Sequence, residues 1–120
     1  MKYQELSKAV IGASMEVLNT PKPGLDEKLY ERALIIELSE RGHVVSAQEQ
    51  FSVSCKGQAV GKLIPDLIID ETLIVDTKVV SAFNDNHHAQ TLGYLAITNL
   101  DLGLIINFKQ SELEWKRLIN

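Results

Sequence analysis

Two acids and a lysine lie in a strongly apolar part of the sequence, between residues 63 and 80. Asp66 lies between Ile64 and Ile68, Asp76 follows Ile74 and Val75, and Lys78 follows Asp76 by two positions. Side chains alternate between the two faces of a strand, so Asp76 and Lys78 share one face and Thr77 takes the other. Charges in such surroundings are costly to bury without a partner or a metal ion. These residues are therefore the first candidates for a functional site.

A third acid is predicted on the apolar stripe of a helix. Glu27 shares its helical face with Tyr30, Leu34 and Leu38, at spacings of three, seven and eleven residues. Such a position is unusual for an acid, although a negative charge in the first turn of a helix is also stabilised by the helix dipole alone. Glu31, one turn further, is predicted to be a solvated helix acid.

Carboxylate oxygens that converge on one point suit a hard divalent cation such as Mg²⁺ or Mn²⁺. Such an ion polarises a phosphoryl oxygen and lowers the pKa of a bound water. A neighbouring lysine orients that water or offsets negative charge in the transition state. These roles together indicate phosphodiester hydrolysis. The alternative is a solvent-facing hairpin in which Asp76 and Lys78 form a surface ion pair of little energetic value.

The turn between the two strands decides whether Asp66 and Asp76 meet. A three-residue turn at residues 70–72 places Asp66 opposite Asp76 on the same face of an antiparallel pair. A two-residue turn places Asp66 opposite Thr77 instead and moves Asp76 to the other face. The turn contains neither glycine nor Asn-Gly, so its composition does not decide between the two lengths. We predict the three-residue turn.

The elements that must position these residues follow from the apolar periodicity. Helices are predicted over residues 3–18, 25–41 and 85–98, with Gly42 closing the second and Asn84 or Asp85 capping the third. One strand is predicted from residues 44–45 together with 51–55, and further strands at 59–69, 73–80 and 102–108. An edge strand is predicted within 112–119. This order predicts an α/β sandwich with a mixed sheet.

Composition sets the class of protein. A chain of 120 residues with 45% hydrophobic and 23% charged residues is typical of one soluble globular domain, here residues 1–120. No apolar run is long enough to cross a bilayer, so no membrane partner is expected. Cys55 is the only cysteine, which excludes an internal disulfide and favours a cytoplasmic location. A net charge of −4 argues against a nonspecific nucleic-acid coat protein but not against an enzyme that acts on nucleic acid.

Two motifs carry a resemblance to a known family. Pro65-Asp66, followed after nine residues by Asp76-Thr77-Lys78, resembles the signature of the PD-(D/E)xK nuclease superfamily, whose αβββαβ core matches the predicted order. Residues 24–30 resemble the name-giving motif of the GxxExxY family within that superfamily. The resemblance continues as far as residue 108 and so covers nearly the whole chain.

The resemblance implies the ligands of a metal. Glu27 would be the helical acid of the site, Asp66 the central metal ligand and Asp76 the second ligand from the strands, while the Thr77 carbonyl would complete the metal shell. Family members usually carry glutamate where this chain has Asp76, and aspartate is shorter by one methylene. The metal geometry or affinity is therefore expected to differ from that of the family.

The resemblance also implies an activity. Lys78 would be the catalytic lysine, and Gln90 would be a polar residue of the crossing helix near the site. We therefore expect a metal-dependent nuclease that hydrolyses phosphodiester bonds of DNA or RNA with Mg²⁺ or Mn²⁺. The alternative is a catalytically inactive nuclease-fold module for interaction or dimerisation. A homodimer is a further expectation, as is a partner protein that supplies a basic surface.

Overall fold

The computed structural model describes residues 2–120, with side chains from Tyr3 onward. Its helices are α1 (Lys2–Asn19), α2 (Glu27–Glu40) and α3 (Asp85–Thr98). Its strands are β1 (Val45–Ala47), β2 (Phe51–Cys55), β3 (Gln58–Leu63), β4 (Leu67–Ile69), β5 (Leu73–Lys78), β6 (Leu102–Asn107) and β7 (Glu114–Ile119). The predicted α/β class and its three helices are confirmed. None of these helices combines the length and the apolar character that a membrane span requires.

The strands form a five-stranded mixed sheet in the order β1-β4-β5-β6-β7 and a separate two-stranded sheet of β2 and β3. Strands β5 and β6 are parallel and are joined by α3, while the other neighbouring pairs are antiparallel. A parallel pair needs a crossover connection of this kind. The predicted edge strand at the C-terminal end is β7, which lies at one edge of the larger sheet.

Two strand predictions were wrong. The strand predicted at residues 44–45 together with 51–55 is divided into β1 and β2, which lie in different sheets. Residues 59–69 form two strands, because β3 ends at Leu63 and β4 begins at Leu67. Pro65 lies between them, and proline cannot donate to the hydrogen-bond ladder of a sheet. β3 pairs with β2 in the small sheet, whereas β4 pairs with β1 and β5 in the large one. The three strands predicted between residues 44 and 80 are therefore five short strands divided between two sheets.

Helices cover both faces of the large sheet. One face packs on α1 and α2, which contribute Val10, Ala13, Val17, Tyr30, Leu34 and Leu38 to the main core. The opposite face is smaller and is covered by α3 and β2, through Leu95 and Phe51. Because side chains alternate along each strand, both faces of the central strands are apolar and buried.

Tyr30 fixes the start of α2 to this core. Its ring stacks on Phe108 with a centroid separation of 4.8 Å and an interplanar angle of 4°. Its hydroxyl donates to the carbonyl of Lys22 and accepts from the amide of Leu25, at 3.2 Å. The loop before α2 is therefore held against the helix, and Glu27 lies at the first position of a well-anchored element.

The predicted register of β4 and β5 is confirmed. Ile69 pairs with Leu73 and Leu67 with Val75, which leaves a three-residue turn at residues 70–72. Asp70 and Glu71 have φ angles of 52° and 55°, a region that non-glycine residues adopt at a cost. The Asp70 carboxylate offsets this cost, because it accepts from the backbone amide of Val44 at 2.8 Å and pairs with His43 Nδ1 at 2.7 Å.

Candidate active site

Asp66 directly precedes β4, and Asp76 lies in the neighbouring strand β5. The last strand pair is Leu67 with Val75, and continuing this register by one position brings Asp66 beside Asp76, whose carboxyl groups interact. Asp66 Oδ2 accepts hydrogen bonds from the Thr77 amide at 3.0 Å and from the Thr77 hydroxyl at 3.3 Å. These two contacts, which the sequence analysis did not predict, fix the orientation of the Asp66 carboxylate.

Asp76 is buried beside a positive charge. Its Oδ1 lies 3.3 Å from Lys78 Nζ, and its Oδ2 accepts from the Thr91 hydroxyl at 3.3 Å. Burial raises the pKa of Asp76 to about 7; Lys78 opposes this rise and the Asp66 carboxylate adds to it. Near neutral pH the site therefore holds one carboxyl group that exchanges its proton readily.

Helix α3 brings Gln90 to the lysine. Lys78 Nζ donates to Gln90 Oε1 at 3.3 Å, and Gln90 Nε2 donates to the Tyr94 hydroxyl at 3.0 Å. Burial raises the pKa of Tyr94, and the negative charges of Asp76 and Asp66 raise it further. Gln90 was a predicted site residue, whereas Tyr94 was not. Tyr94 follows Gln90 by four residues, so both lie on one face of the helix, and this spacing could have indicated that Tyr94 is near the site.

Glu27 lies within electrostatic reach of the strand carboxylates. Burial raises the pKa of Glu27 and the Asp66 carboxylate raises it further, while Lys78 and the backbone amide of Val79 lower it. The helix and the two strands therefore place three acids and one lysine in a single neighbourhood. Among residues 2–120, however, no group of three or more His, Cys, Asp or Glu side chains has an arrangement that could hold a metal ion.

The donor chemistry nevertheless fits a hard divalent ion. Mg²⁺ is usually bound through one or two carboxylates, with water and substrate phosphate completing its octahedron. Asp66 and Asp76 supply two such carboxylates, and their mutual repulsion, which helps to raise the pKa of Asp76, would be relieved by a cation between them. Two acids are therefore enough for a Mg²⁺ or Mn²⁺ site of this kind.

Glu31 was predicted to be a solvated helix acid, and this prediction was wrong. Glu31 is only 3% exposed. Its carboxylate accepts from Gln48 Nε2 at 2.8 Å and pairs with Lys28 Nζ at 3.1 Å. The sequence analysis missed this role because the partner that desolvates Glu31 comes from the loop after β1, seventeen residues away.

Comparison with known proteins defines the class of protein. The sequence matches the family model of the PD-(D/E)XK nuclease superfamily over residues 4–118, and the chain belongs to this superfamily. PD-(D/E)XK nucleases depend on divalent metal ions. Comparison with curated proteins finds no match.

Three solved structures are similar to this chain. SSO0001 superposes with a TM-score of 0.63 and 13% identity, over 78% of this chain and 49% of that chain. LHK-Exo in complex with dAMP superposes with a TM-score of 0.53 and 12% identity, over 90% of this chain and 76% of that chain. Another structure, an alkaline exonuclease (LHK-Exo) from Laribacter hongkongensis, gives a TM-score of 0.46 and 14% identity, over 78% of this chain and 55% of that chain. This chain spans about half the length of SSO0001. At these identities the first two structures show a similarity of fold alone.

Proposed function

We propose that residues 1–120 act as a single metal-dependent nuclease domain of the GxxExxY family, hydrolysing phosphodiester bonds of DNA or RNA. The observation that carries this proposal is the pairing of Asp66 with Asp76 beside Lys78, at the motif positions of a nuclease superfamily. Buried acids without a task would be a net cost to the fold, because each must be stripped of water.

Asp66 and Asp76 are the proposed metal ligands, and the Thr77 carbonyl would add a further oxygen. Glu27, which does not form a three-acid site with them, would add negative charge beside the metal. When bound, Mg²⁺ or Mn²⁺ supplies a water of lowered pKa and neutralises charge on the phosphoryl oxygens. Asp76 must lose its proton to act as a ligand, and its pKa of about 7 allows this near neutral pH. The two contacts from Thr77 keep Asp66 oriented for the same task.

Lys78 is the proposed catalytic lysine. Its ammonium group contacts Asp76 Oδ1 and Gln90 Oε1, each at 3.3 Å, so two acceptors hold it beside the proposed metal ligands. From there it orients the attacking water or stabilises the negative charge that develops on the phosphate. Gln90, itself held by Tyr94, is a proposed positioning residue for Lys78.

A relative of the same fold supports a nucleic-acid substrate. LHK-Exo was crystallised in complex with dAMP, which is a nucleotide. We extend this to the present chain as a proposal for the substrate class, because the chain belongs to a nuclease superfamily. The net charge of −4 means that phosphate attraction must come from local cations such as Lys78 and the bound metal.

The direct test is cleavage of labelled single- and double-stranded DNA and RNA with Mg²⁺, with Mn²⁺ and with EDTA. Asp66→Asn and Lys78→Met should each abolish metal-dependent cleavage while leaving the far-ultraviolet circular dichroism unchanged. Glu49→Gln and Lys56→Met are matched controls, because both residues are exposed on the β-hairpin side of the molecule, and they should cleave as the wild type does. Cleavage that persists in both Asp66→Asn and Lys78→Met would refute the proposed site.

The exposed sheet edge favours a second candidate function, an interaction or dimerisation module. Strand β7 lies at the edge of the large sheet, with Trp115 43% and Ile119 61% exposed. Exposed apolar edge strands can pair with another chain. A module without catalytic function should show no Mn²⁺ binding by calorimetry, no cleavage, and a dimer by light scattering that Trp115→Lys dissociates.

A further inference from the structure

A groove of about 360 Å³ lies between the β2–β3 hairpin and helix α3. Its hairpin side includes Val53 and Ile64, its helix side includes Gly93 and Ile97, and Lys62 adds one positive charge. Ile64 and Ile97 are 40% and 43% exposed, so both present apolar surface to the groove and to water. Grooves of this size, at the lower end of the ~300–1,000 Å³ typical of ligand sites, take a single small ligand.

The groove is continuous with the candidate active site. Gln90 and Tyr94 line the groove, and the same two residues form the hydrogen-bonded chain that ends on Lys78. Tyr94 also responds to the charges of Asp66 and Asp76, which places it at the junction of the groove and the carboxylates. A ligand in the groove would therefore lie beside the group on which the site acts.

Gly93 has no structural reason to be glycine. It lies in the interior of α3, where glycine destabilises a helix relative to alanine because of its backbone entropy. Its φ angle is not positive, and a Cβ built on it meets no atom within 4 Å. Neither the backbone conformation nor the packing of the described residues thus requires it. The missing side chain leaves open space on the wall of the groove.

We propose that this groove binds one unpaired nucleotide next to the phosphate that the site attacks, so that the substrate is a single strand or an unpaired end. This inference rests on the proposed nuclease function. A nucleobase has apolar faces that suit Val53, Ile64 and Ile97, an aromatic ring at Tyr94 offers a stacking surface, and Lys62 suits a phosphate. A base within a duplex is already stacked and paired, and it must leave the stack before it can enter such a groove.

The test uses Gly93→Ala and Gly93→Leu, which fill the groove from a helical position. Both substitutions should raise the melting temperature, because they replace a helix-interior glycine. Both should weaken the binding of a fluorescein-labelled ten-nucleotide single strand, measured by anisotropy with Ca²⁺ in place of Mg²⁺. We expect a loss of at least about fivefold for Gly93→Leu, the lower end of what one stacked base contributes. Ala96→Leu, at an exposed position of the same helix outside the groove, is the matched control and should bind as the wild type does.

The outcomes separate this inference from the function on which it rests. Three results would each overturn the groove assignment. In the first, Gly93→Leu binds the single strand as tightly as the wild type does. In the others, the wild type binds a duplex as tightly as the single strand, or it does not bind the single strand at all. If Gly93→Leu abolishes binding but the wild type cleaves nothing, the groove assignment stands and the hydrolytic function fails. If cleavage depends on Asp66 and Lys78 but neither cleavage nor binding depends on Gly93, the hydrolytic function stands and the groove assignment fails.

Discussion

The backbone amide of Gln48 donates a hydrogen bond to the carbonyl of Asp66 at 3.1 Å. The side chain of the same glutamine donates to the buried carboxylate of Glu31 at 2.8 Å. Gln48 has a φ of 57°, so this geometry uses a backbone conformation that non-glycine residues rarely adopt. Helix α2 is thereby connected to the residue that we propose as the central metal ligand.

Replacing Glu31 should weaken both the fold and the metal site. Glu31→Ala removes the buried carboxylate that accepts from Gln48 Nε2, and a hydrogen bond to a charged group contributes about 1.5–3 kcal/mol. We expect a loss of that size in the free energy of urea unfolding and weaker Mn²⁺ binding by calorimetry, with partial recovery in Glu31→Gln. Glu37→Ala, which removes an acid paired with Arg41 on the same helix, should change the free energy of unfolding by no more than about 1 kcal/mol. Equal effects of the two alanine substitutions would contradict the role of Glu31.

Without metal, stability should fall as the pH rises towards neutrality. The pKa of Asp76 is about 7 in the folded chain, whereas the pKa of an unperturbed aspartate carboxyl group is 3.8. Between these values the folded state binds more protons than the unfolded state, so unfolding becomes easier as the pH increases. Urea unfolding in EDTA from pH 4.5 to 8 should show this decline, and Asp76→Asn should flatten it. A wild-type stability that rises over this interval would show that the pKa is not raised.

Metal binding should release a proton from the same carboxyl group. At pH 7 a group with a pKa of about 7 is about half protonated, so binding of Mn²⁺ should release about half a proton from Asp76. Calorimetry in buffers with different ionisation enthalpies measures this number directly. The apparent affinity should increase from pH 6 to pH 8. In Asp76→Asn the proton release should disappear, and its persistence there would assign the proton to another group.

The turn after β4 should depend on the Asp70 carboxylate. Burial raises the pKa of Asp70, but the hydrogen bonds from His43 and the Val44 amide outweigh it and hold the pKa below its usual value. The stability that this carboxylate contributes is therefore present above its usual pKa and is lost as the pH falls through its lowered value. Asp70→Ala should cost about 1–2 kcal/mol at pH 7 by thermal unfolding. Glu71→Gln, which changes the neighbouring exposed acid, should alter stability by less than about 0.5 kcal/mol. Equal losses in the two variants would argue against the Asp70 contacts.

Local patterns were enough to predict the three helices, and the register of β4 with β5 followed once a three-residue turn was chosen. Helix boundaries follow from three- and four-residue periodicity, and Gly42, with a φ of 90°, ends α2 where a left-handed cap was predicted. The register of β4 with β5 follows from the length of their turn. A turn with an odd number of residues brings Asp66 and Asp76 to the same face of the sheet. The division of residues 59–69 was missed because apolar composition continued across Pro65, although proline itself was the signal.

Contacts between distant segments were beyond the sequence. Thr91 and Tyr94 reach the site because α3 crosses the sheet beside β5 and β6, and a helical pattern does not reveal what its polar face meets. The burial of Glu31 likewise depends on where the loop after β1 folds. Lys78 and Gln90 were identified because they belong to motifs, whereas their contact at 3.3 Å is a property of the tertiary structure.

The three-residue turn at 70–72 limits how this protein can diverge. Most surface loops tolerate insertions and deletions, since lengthening a loop costs little entropy. Here the loss or gain of one residue that shifts the pairing would send Asp66 and Asp76 to opposite faces of the sheet, even if every proposed site residue were kept. Homologues that retain the chemistry should therefore vary the amino acids of this turn but preserve the parity of its length. Parity is thus a marker by which inactive descendants could be recognised.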